Sequence, residues 1–157
     1  MQKITTFLTF NDQAEQAVNF YTSIFKNSKI VEKTLYGDAG PGKKGSVMTM
    51  TFELEGQPFV ALNGGPDFKF SMGTSLLVNC ETQAELDEYW EKLSEGGEKV
   101  ACGWLKDKFG FYWQICPTIL IRMLGDKDPK KVKNVMEAMM KMVKIDIAGV
   151  KRAYEEA

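Results

Sequence analysis

The sequence predicts an α+β fold of two β-α-β-β-β units followed by C-terminal helices, and three observations carry that prediction. Two capping-box signatures, Asp12-Gln13-Ala14-Glu15 and Thr82-Gln83-Ala84-Glu85, each follow a run of β-forming residues. Between Ser46 and Glu55 the side chains alternate, with Met48, Met50, Phe52 and Leu54 on one face and Val47, Thr49, Thr51, Glu53 and Glu55 on the other. Placing Asp12 on Thr82 superimposes strand, cap, helix with an aromatic pair (Phe20-Tyr21 on Tyr89-Trp90) and short strands, which is an internal repeat.

The elements follow in order. Lys3 to Phe10 reads as a strand, and the helix after it carries Ala14, Ala17, Val18, Tyr21 and Phe25 at three- and four-residue steps, an apolar face that must lie on a sheet; it ends near Lys26-Asn27. Strands at Lys29 to Tyr36, Ser46 to Glu55 and Pro58 to Asn63 are separated by glycine-rich turns. Thr74 to Cys80 opens the second unit. Its helix buries Leu86, Tyr89, Trp90 and Leu93 and stops at Gly96-Gly97, where glycine supplies the left-handed backbone that helix ends favour. Strand-like pieces return at Lys99 to Ala101, Trp104 to Lys106 and Phe111 to Ile115.

The last third is helical by pattern. Pro117 to Leu124 predicts a short helix ending at Gly125, and Asp128-Pro129 is a cap with proline in the first helical position. Val132, Val135, Met136, Met139, Met140 and Val143 form a stripe that something must cover, either the chain's own sheet or a second copy. Ile147 to Tyr154 adds a last turn or two. The reading is one domain over residues 1–157, with units at 1–66 and 67–116 and the helices at 117–157.

Composition excludes several classes. Twenty basic and 21 acidic side chains give a net charge of −1, with no footprint for a phosphate backbone, so no nucleic-acid partner is expected. The first ten residues lack the continuous apolar centre of a signal peptide, and no apolar run approaches the ~20 residues that span a bilayer, so no membrane partner is expected. Cys80, Cys102 and Cys116 are odd in number and widely spaced, neither a disulfide framework nor a zinc pattern, which points to a cytoplasmic location.

Paired β-α-β-β-β units with a helix opening in Phe-Tyr resemble the vicinal oxygen chelate superfamily, the glyoxalase, bleomycin-resistance and dioxygenase fold. Leu62-Asn63-Gly64-Gly65-Pro66, Cys102 to Gly110 (Cys-Gly-Trp-Leu-Lys-Asp-Lys-Phe-Gly) and Trp113-Gln114-Ile115 look like its PhnB-type, 3-demethylubiquinone-9 3-methyltransferase-like branch. The resemblance implies two curved mixed sheets forming a cup, a binding cavity on the concave side, and pairing of units between chains into a homodimer. It also implies that metal-using members carry ligands on the first and last strands of each unit. Here those places are Thr5 or Thr6, Asn63, Gly73 or Thr74, and Gln114. None offers an imidazole, thiolate or carboxylate, so neither a metal nor any other cofactor is expected.

The expected ligand-binding set is Thr6, Asn63, Trp104, Tyr112 and Gln114. Each has a plainer reading. Asn63 and Gln114 either hydrogen-bond a ligand or satisfy buried backbone groups. Trp104, and Phe111 or Tyr112, either stack on a planar ligand or fill the core. Cys102 is either a nucleophile or a structural thiol, and in a chain with no histidine only a lysine or carboxylate could activate it. Gly37 to Gly42 lacks the context of a phosphate loop and reads as a flexible loop at the cavity mouth. No glycine-rich strand-turn-helix for an adenosyl cofactor is present, so methyltransferase is a family label. The leading function is metal-independent binding of a small molecule. The alternatives are an enzyme using carboxylate, lysine or thiol chemistry, which an acid such as Asp67 or Glu53 in the cup would support, and a non-catalytic scaffold dimer.

Overall fold

The computed structural model describes residues 2–157, which form two compact units, one ending at Lys69 and the other spanning residues 70–157. In the first, β1 (Thr6–Phe10) leads into α1 (Ala14–Ile24), then β2 (Ser28–Leu35), β3 (Val47–Leu54) and β4 (Gln57–Asn63). Their sheet order is β1-β4-β3-β2, with β1 parallel to β4 and the other neighbours antiparallel. The second unit repeats this with β5 (Ser75–Cys80), α2 (Gln83–Ser94), β6 (Glu98–Lys99), β7 (Trp104–Lys106) and β8 (Tyr112–Pro117), in the order β5-β8-β7-β6. The internal repeat read from the sequence is therefore a repeat of topology.

Each helix covers one face of its own sheet. The apolar stripe of α1, Ala14, Ala17, Val18, Tyr21 and Ile24, is buried, as are Leu8, Phe10, Met50, Phe52, Leu54, Phe59 and Ala61 from β1, β3 and β4. Phe52 and Phe59 stack across the strand pair with centroids 5.4 Å apart. In the second unit Leu86, Trp90 and Leu93 of α2 are buried with Leu105, Trp113 and Ile115. Burial of each large apolar side chain contributes about 1.5–3 kcal/mol, so these two faces fix which side of each sheet is dry. The opposite faces carry residues that are half-buried or exposed.

Helix starts differ between the units in a way the sequence signature does not foresee. Thr82 caps α2: its hydroxyl accepts from the Glu85 amide at 3.2 Å, and Glu85 accepts in turn from the Glu81 amide at 2.8 Å. At α1 the matching signature is not used. Gln13 occupies the cap position with no side-chain bond, and the first helical amide, Ala14, donates instead to the Asn63 carboxamide oxygen at 2.9 Å. A residue from the end of β4 has replaced Asp12 as the cap, because the chain brings it directly beneath the first turn.

Three helices complete the second unit: α3 (Thr118–Leu124), α4 (Pro129–Met140) and α5 (Ile147–Glu155). Asp128 caps α4, accepting from the Lys130 amide at 2.9 Å, with Pro129 opening the helix as the sequence predicts. The link between α4 and α5 is tied to the unit's body. Cys102 and Gly103 donate to the carbonyls of Met142 and Val143 at 2.9 and 2.8 Å. Gln83 donates to the Ile145 carbonyl at 3.0 Å and accepts from the Ile147 amide at 2.8 Å. The methionine stripe is only partly covered. Val135 is buried, whereas Met140 is 66% exposed and Val143 lies past the helix end at 51%.

Candidate functional site

Register assigns every strand residue to a face. In the second sheet Leu77 pairs with Gln114 and Gln114 with Trp104, while Ser75 pairs with Tyr112 and Tyr112 with Lys106. Their neighbours along the strands, Trp113, Ile115 and Leu105, are the buried residues under α2, so alternation puts Trp104, Tyr112 and Gln114 together on the open face. All three are half-buried. Gln114 donates its amide to the Ser75 hydroxyl at 2.9 Å, which orients the carboxamide across β5 and β8. Lys106 is ion-paired with Glu98 at 3.2 Å, and that carboxylate holds its ammonium above the ordinary lysine range. The face thus carries an indole, a phenol, an oriented amide, a hydroxyl and a paired ammonium around the apolar Leu77.

Thr6 and Asn63 fall on the other side of the first sheet. Thr6 pairs with Phe59 and shares its row with buried Leu8 and Phe10; Asn63 follows buried Phe59 and Ala61 along β4. Both therefore belong to the face under α1. Asn63 spends its carboxamide on backbone: besides capping Ala14 it donates to the Val47 carbonyl at 3.0 Å. The open-face row of the first sheet is instead Phe7, Val60 and Thr51, the counterpart of Leu77, Gln114 and Trp104. The family resemblance implies Asn63 and Gln114 as the corresponding last-strand positions of the two units. The registers match Gln114 with Val60 and Asn63 with Pro117.

On the open faces, the first- and last-strand residues include no His, Asp or Glu. The first- and last-strand residues there are Phe7, Thr9, Val60 and Leu62 in one sheet and Ser75, Leu77, Asn79, Tyr112, Gln114 and Cys116 in the other. Among the described residues no three His, Cys, Asp or Glu side chains converge. The neutral oxygens and single thiol present do not fit a divalent first-row ion.

The conspicuous motif around Gly103 to Gly110 has a structural role. Asp107, 2% exposed, accepts from the amides of Phe109 and Phe111 at 2.9 and 3.0 Å with one oxygen, and from the Trp113 indole N–H at 2.9 Å with the other. It shapes the β7–β8 hairpin and fixes the parity of β8, hence which side chains reach the open face. Phe111 packs edge-on against Phe70 and Trp113 and is core. Gly103 is needed for space: a Cβ there would lie 2.9 Å from the Ile115 carbonyl oxygen, and its φ is +82°. Burial pushes the Cys80 thiol up to about 12 and raises that of Cys116, so neither supplies a thiolate near neutral pH.

The first unit carries a separate cleft of about 420 Å³ between the start of α1 and the loop joining β2 to β3. The predicted loop at Gly37 to Gly42 wraps the ring of Tyr36, so closely that a Cβ on Gly42 would stand 2.1 Å from it. The Tyr36 hydroxyl donates to the Asn63 carbonyl, anchoring the loop's root to the end of β4.

Comparison with known proteins agrees with this architecture. The model of the family described as 3-demethylubiquinone-9 3-methyltransferase matches residues 2–116. A Bacillus cereus structure described as a putative 3-demethylubiquinone-9 3-methyltransferase, PhnB protein, is 42% identical, with 74% of this chain and 100% of that one covered and a TM-score of 0.68. A Pseudomonas aeruginosa protein is similar at 20% identity (74% and 98% covered, TM-score 0.61). The fosfomycin resistance protein FosX of Mesorhizobium loti is similar at 14% (72% and 90% covered, TM-score 0.50), a likeness of fold. No curated protein matches. No helix among the described residues is long and apolar enough to cross a membrane. The α3–α5 segment lies beyond the residues that the family model matches. The chain has the glyoxalase/bleomycin-resistance/dioxygenase fold and belongs to the 3-demethylubiquinone-9 3-methyltransferase family, in its PhnB-type branch.

Proposed function

We propose that this protein binds a small, partly planar organic molecule on the open face of its second sheet, without a transition metal. The observation that supports this is the convergence of Trp104, Tyr112 and Gln114 on one face, with Ser75 orienting the Gln114 amide. Binding faces of this kind combine apolar and aromatic contact with a few placed polar groups. The indole supplies stacking area, Gln114 Oε1 an acceptor, and Tyr112 a hydroxyl. Uncharged donors at the first- and last-strand positions support a metal-independent mode. The raised pKa values of Cys80 and Cys116 withdraw support from catalysis by those two thiols. In this reading Thr6 and Asn63 support the first sheet and do not touch the ligand.

Ligand-observed NMR against a panel of planar aromatic and aliphatic metabolites tests the proposal. Hits should bind in the presence of a chelator and weaken about tenfold in Trp104→Ala, equivalent to about 1.4 kcal/mol, while Thr6→Val leaves them unchanged. Hits indifferent to Trp104→Ala and Gln114→Ala would refute it. We also read the chain as a homodimer, which the exposed Ile121, Met136, Met140 and Val143 favour. Light scattering giving a mass near 17.7 kDa would refute that reading.

A further inference from the structure

We infer that the cleft of the first unit is a second ligand site, one that takes an amino-acid-sized zwitterion with an apolar body. Two charges that the fold leaves unused stand on the cleft's walls. Asp12 has the sequence signature of a helix cap, yet Asn63 performs that task, and Asp12 has no hydrogen-bond or ion-pair partner among the described residues. Lys43 stands on the β2–β3 loop; its neighbour Lys44 pairs with Asp38 at 2.7 Å, but Lys43 itself has no acidic partner among the described residues. Both residues line the same cleft, and they are not paired with each other. Glu15, also on its wall, is already neutralised by Lys33 at 3.0 Å.

A carboxylate and an ammonium on the lining of one cleft are complementary to a molecule that carries both an ammonium and an anionic group. The rest of the lining mixes polar residues, Asn11, Gln16, Ser46 and Asn63, with apolar ones. Tyr36, 6% exposed and pinned through its hydroxyl to β4, lines it with Val47 and Pro41. These surfaces suit a hydrocarbon or aromatic body. The volume of about 420 Å³ lies within the roughly 300–1,000 Å³ range of small-molecule clefts. Gly42 packs closely on the Tyr36 ring, next to Lys43 in the loop. Since Asp12 and Lys43 are exposed, water screens them and each contributes only a few-fold to affinity.

The test uses three probes of one shape: L-phenylalanine (both charges), N-acetyl-L-phenylalanine (anion only) and phenethylamine (cation only), titrated into the full-length 15N-labelled protein. L-Phenylalanine should shift the amides of residues 11–16 and 42–47 and bind about threefold more tightly than either singly charged probe. In Asp12→Asn the preference over N-acetyl-L-phenylalanine should vanish, and in Lys43→Gln the preference over phenethylamine should vanish. Both residues are exposed and cap nothing, so the variants should keep the parent unfolding midpoint. Equal affinity for all three probes, retention of preference in the variants, or shifts confined to the β5–β8 sheet would each overturn the inference. The last outcome leaves the reading of the Trp104 face intact, so the two sites fail independently.

Discussion

Removing the Asp107 carboxylate should be among the most damaging single changes in the second unit, although the residue sits in no cleft. Its side chain accepts three hydrogen bonds, from the amides of Phe109 and Phe111 and the indole of Trp113, at 2.9, 3.0 and 2.9 Å. Asp107→Ala leaves those donors without an acceptor. The Phe111 and Trp113 donors are buried, and each orphaned buried donor costs about 1–3 kcal/mol. Repacking recovers little around a turn, so the total should be about 3–5 kcal/mol, comparable to breaking a buried ion pair. At about 2–4 °C per kcal/mol for a chain of this length, the midpoint should fall by about 6–20 °C. Asp107→Asn should fall between, since one oxygen can still accept from both amides while the new amide faces the indole N–H donor to donor. Urea and thermal unfolding of the two variants, with the near-ultraviolet circular dichroism of Trp113 as a local probe, measures this. A loss below about 1 kcal/mol in Asp107→Ala would refute the reasoning, because it would mean the three bonds are replaced by water at no net cost.

Other outcomes follow from the same structure. Asn63→Ala should destabilise the protein by about 1–3 kcal/mol, since it removes both the α1 cap and the bond to the Val47 carbonyl; an unfolding midpoint equal to the parent's would contradict the capping role. The Tyr154 hydroxyl, 2.5 Å from Asp126, lowers that carboxyl's pKa, and Asp126 in turn raises that of Tyr154. Asp126 therefore stabilises the fold above the ordinary carboxyl value of 3.8, and that contribution is lost as pH falls through its lower folded value. Tyr154 contributes below the ordinary phenol value of 10.0, and its contribution is lost as pH rises through its higher folded value. Unfolding midpoints across pH should show both limbs, and Tyr154→Phe should flatten the alkaline one. Cys80 should resist iodoacetamide at pH 8 in the folded protein and react once the chain is unfolded in urea, as read by mass spectrometry; rapid labelling of the native protein would contradict its burial.

Most of the fold is legible in the sequence because it rests on local periodicity. Alternation along β3 is enough to name its buried face, and the Thr82 and Asp128 caps form as their sequence signals indicate. That Trp104, Tyr112 and Gln114 share a face of the register is legible for the same reason. The face on which Thr6 and Asn63 lie is not. Thr6 and Asn63 lie one residue out of phase with the open face, and β1 and β4 carry apolar residues on both faces (Phe7 beside Leu8, Val60 and Leu62 beside Phe59 and Ala61), so their own alternation does not name the buried side. An amide at a strand end suits either role, and the bonds of Asn63 to backbone groups of Ala14 and Val47, distant in the chain, are not visible in any local pattern. The tasks of Gln83 and Asp107 are hidden likewise. Gln83 reads as the second residue of a capping box, yet it bridges to Ile145 and Ile147, more than sixty positions away. Asp107 stands inside a motif that resembles the family's, and its purpose emerges only when Trp113 folds back over it. A signal exists there: a lone acid between Lys106 and Lys108 in a tight Gly-bearing turn is a frequent acceptor for turn amides.

Whether the second sheet's open face holds an organic molecule and no metal ion is tested most directly by analysing the protein, purified without added ions, for compounds released on denaturation (mass spectrometry) and for metal content before it (elemental analysis), beside Trp104→Ala. The expected result is a released organic compound in the parent, a clear reduction in the variant, and no stoichiometric divalent metal in either. A bound divalent ion at one equivalent, or the same compound at the same level in Trp104→Ala, would contradict it.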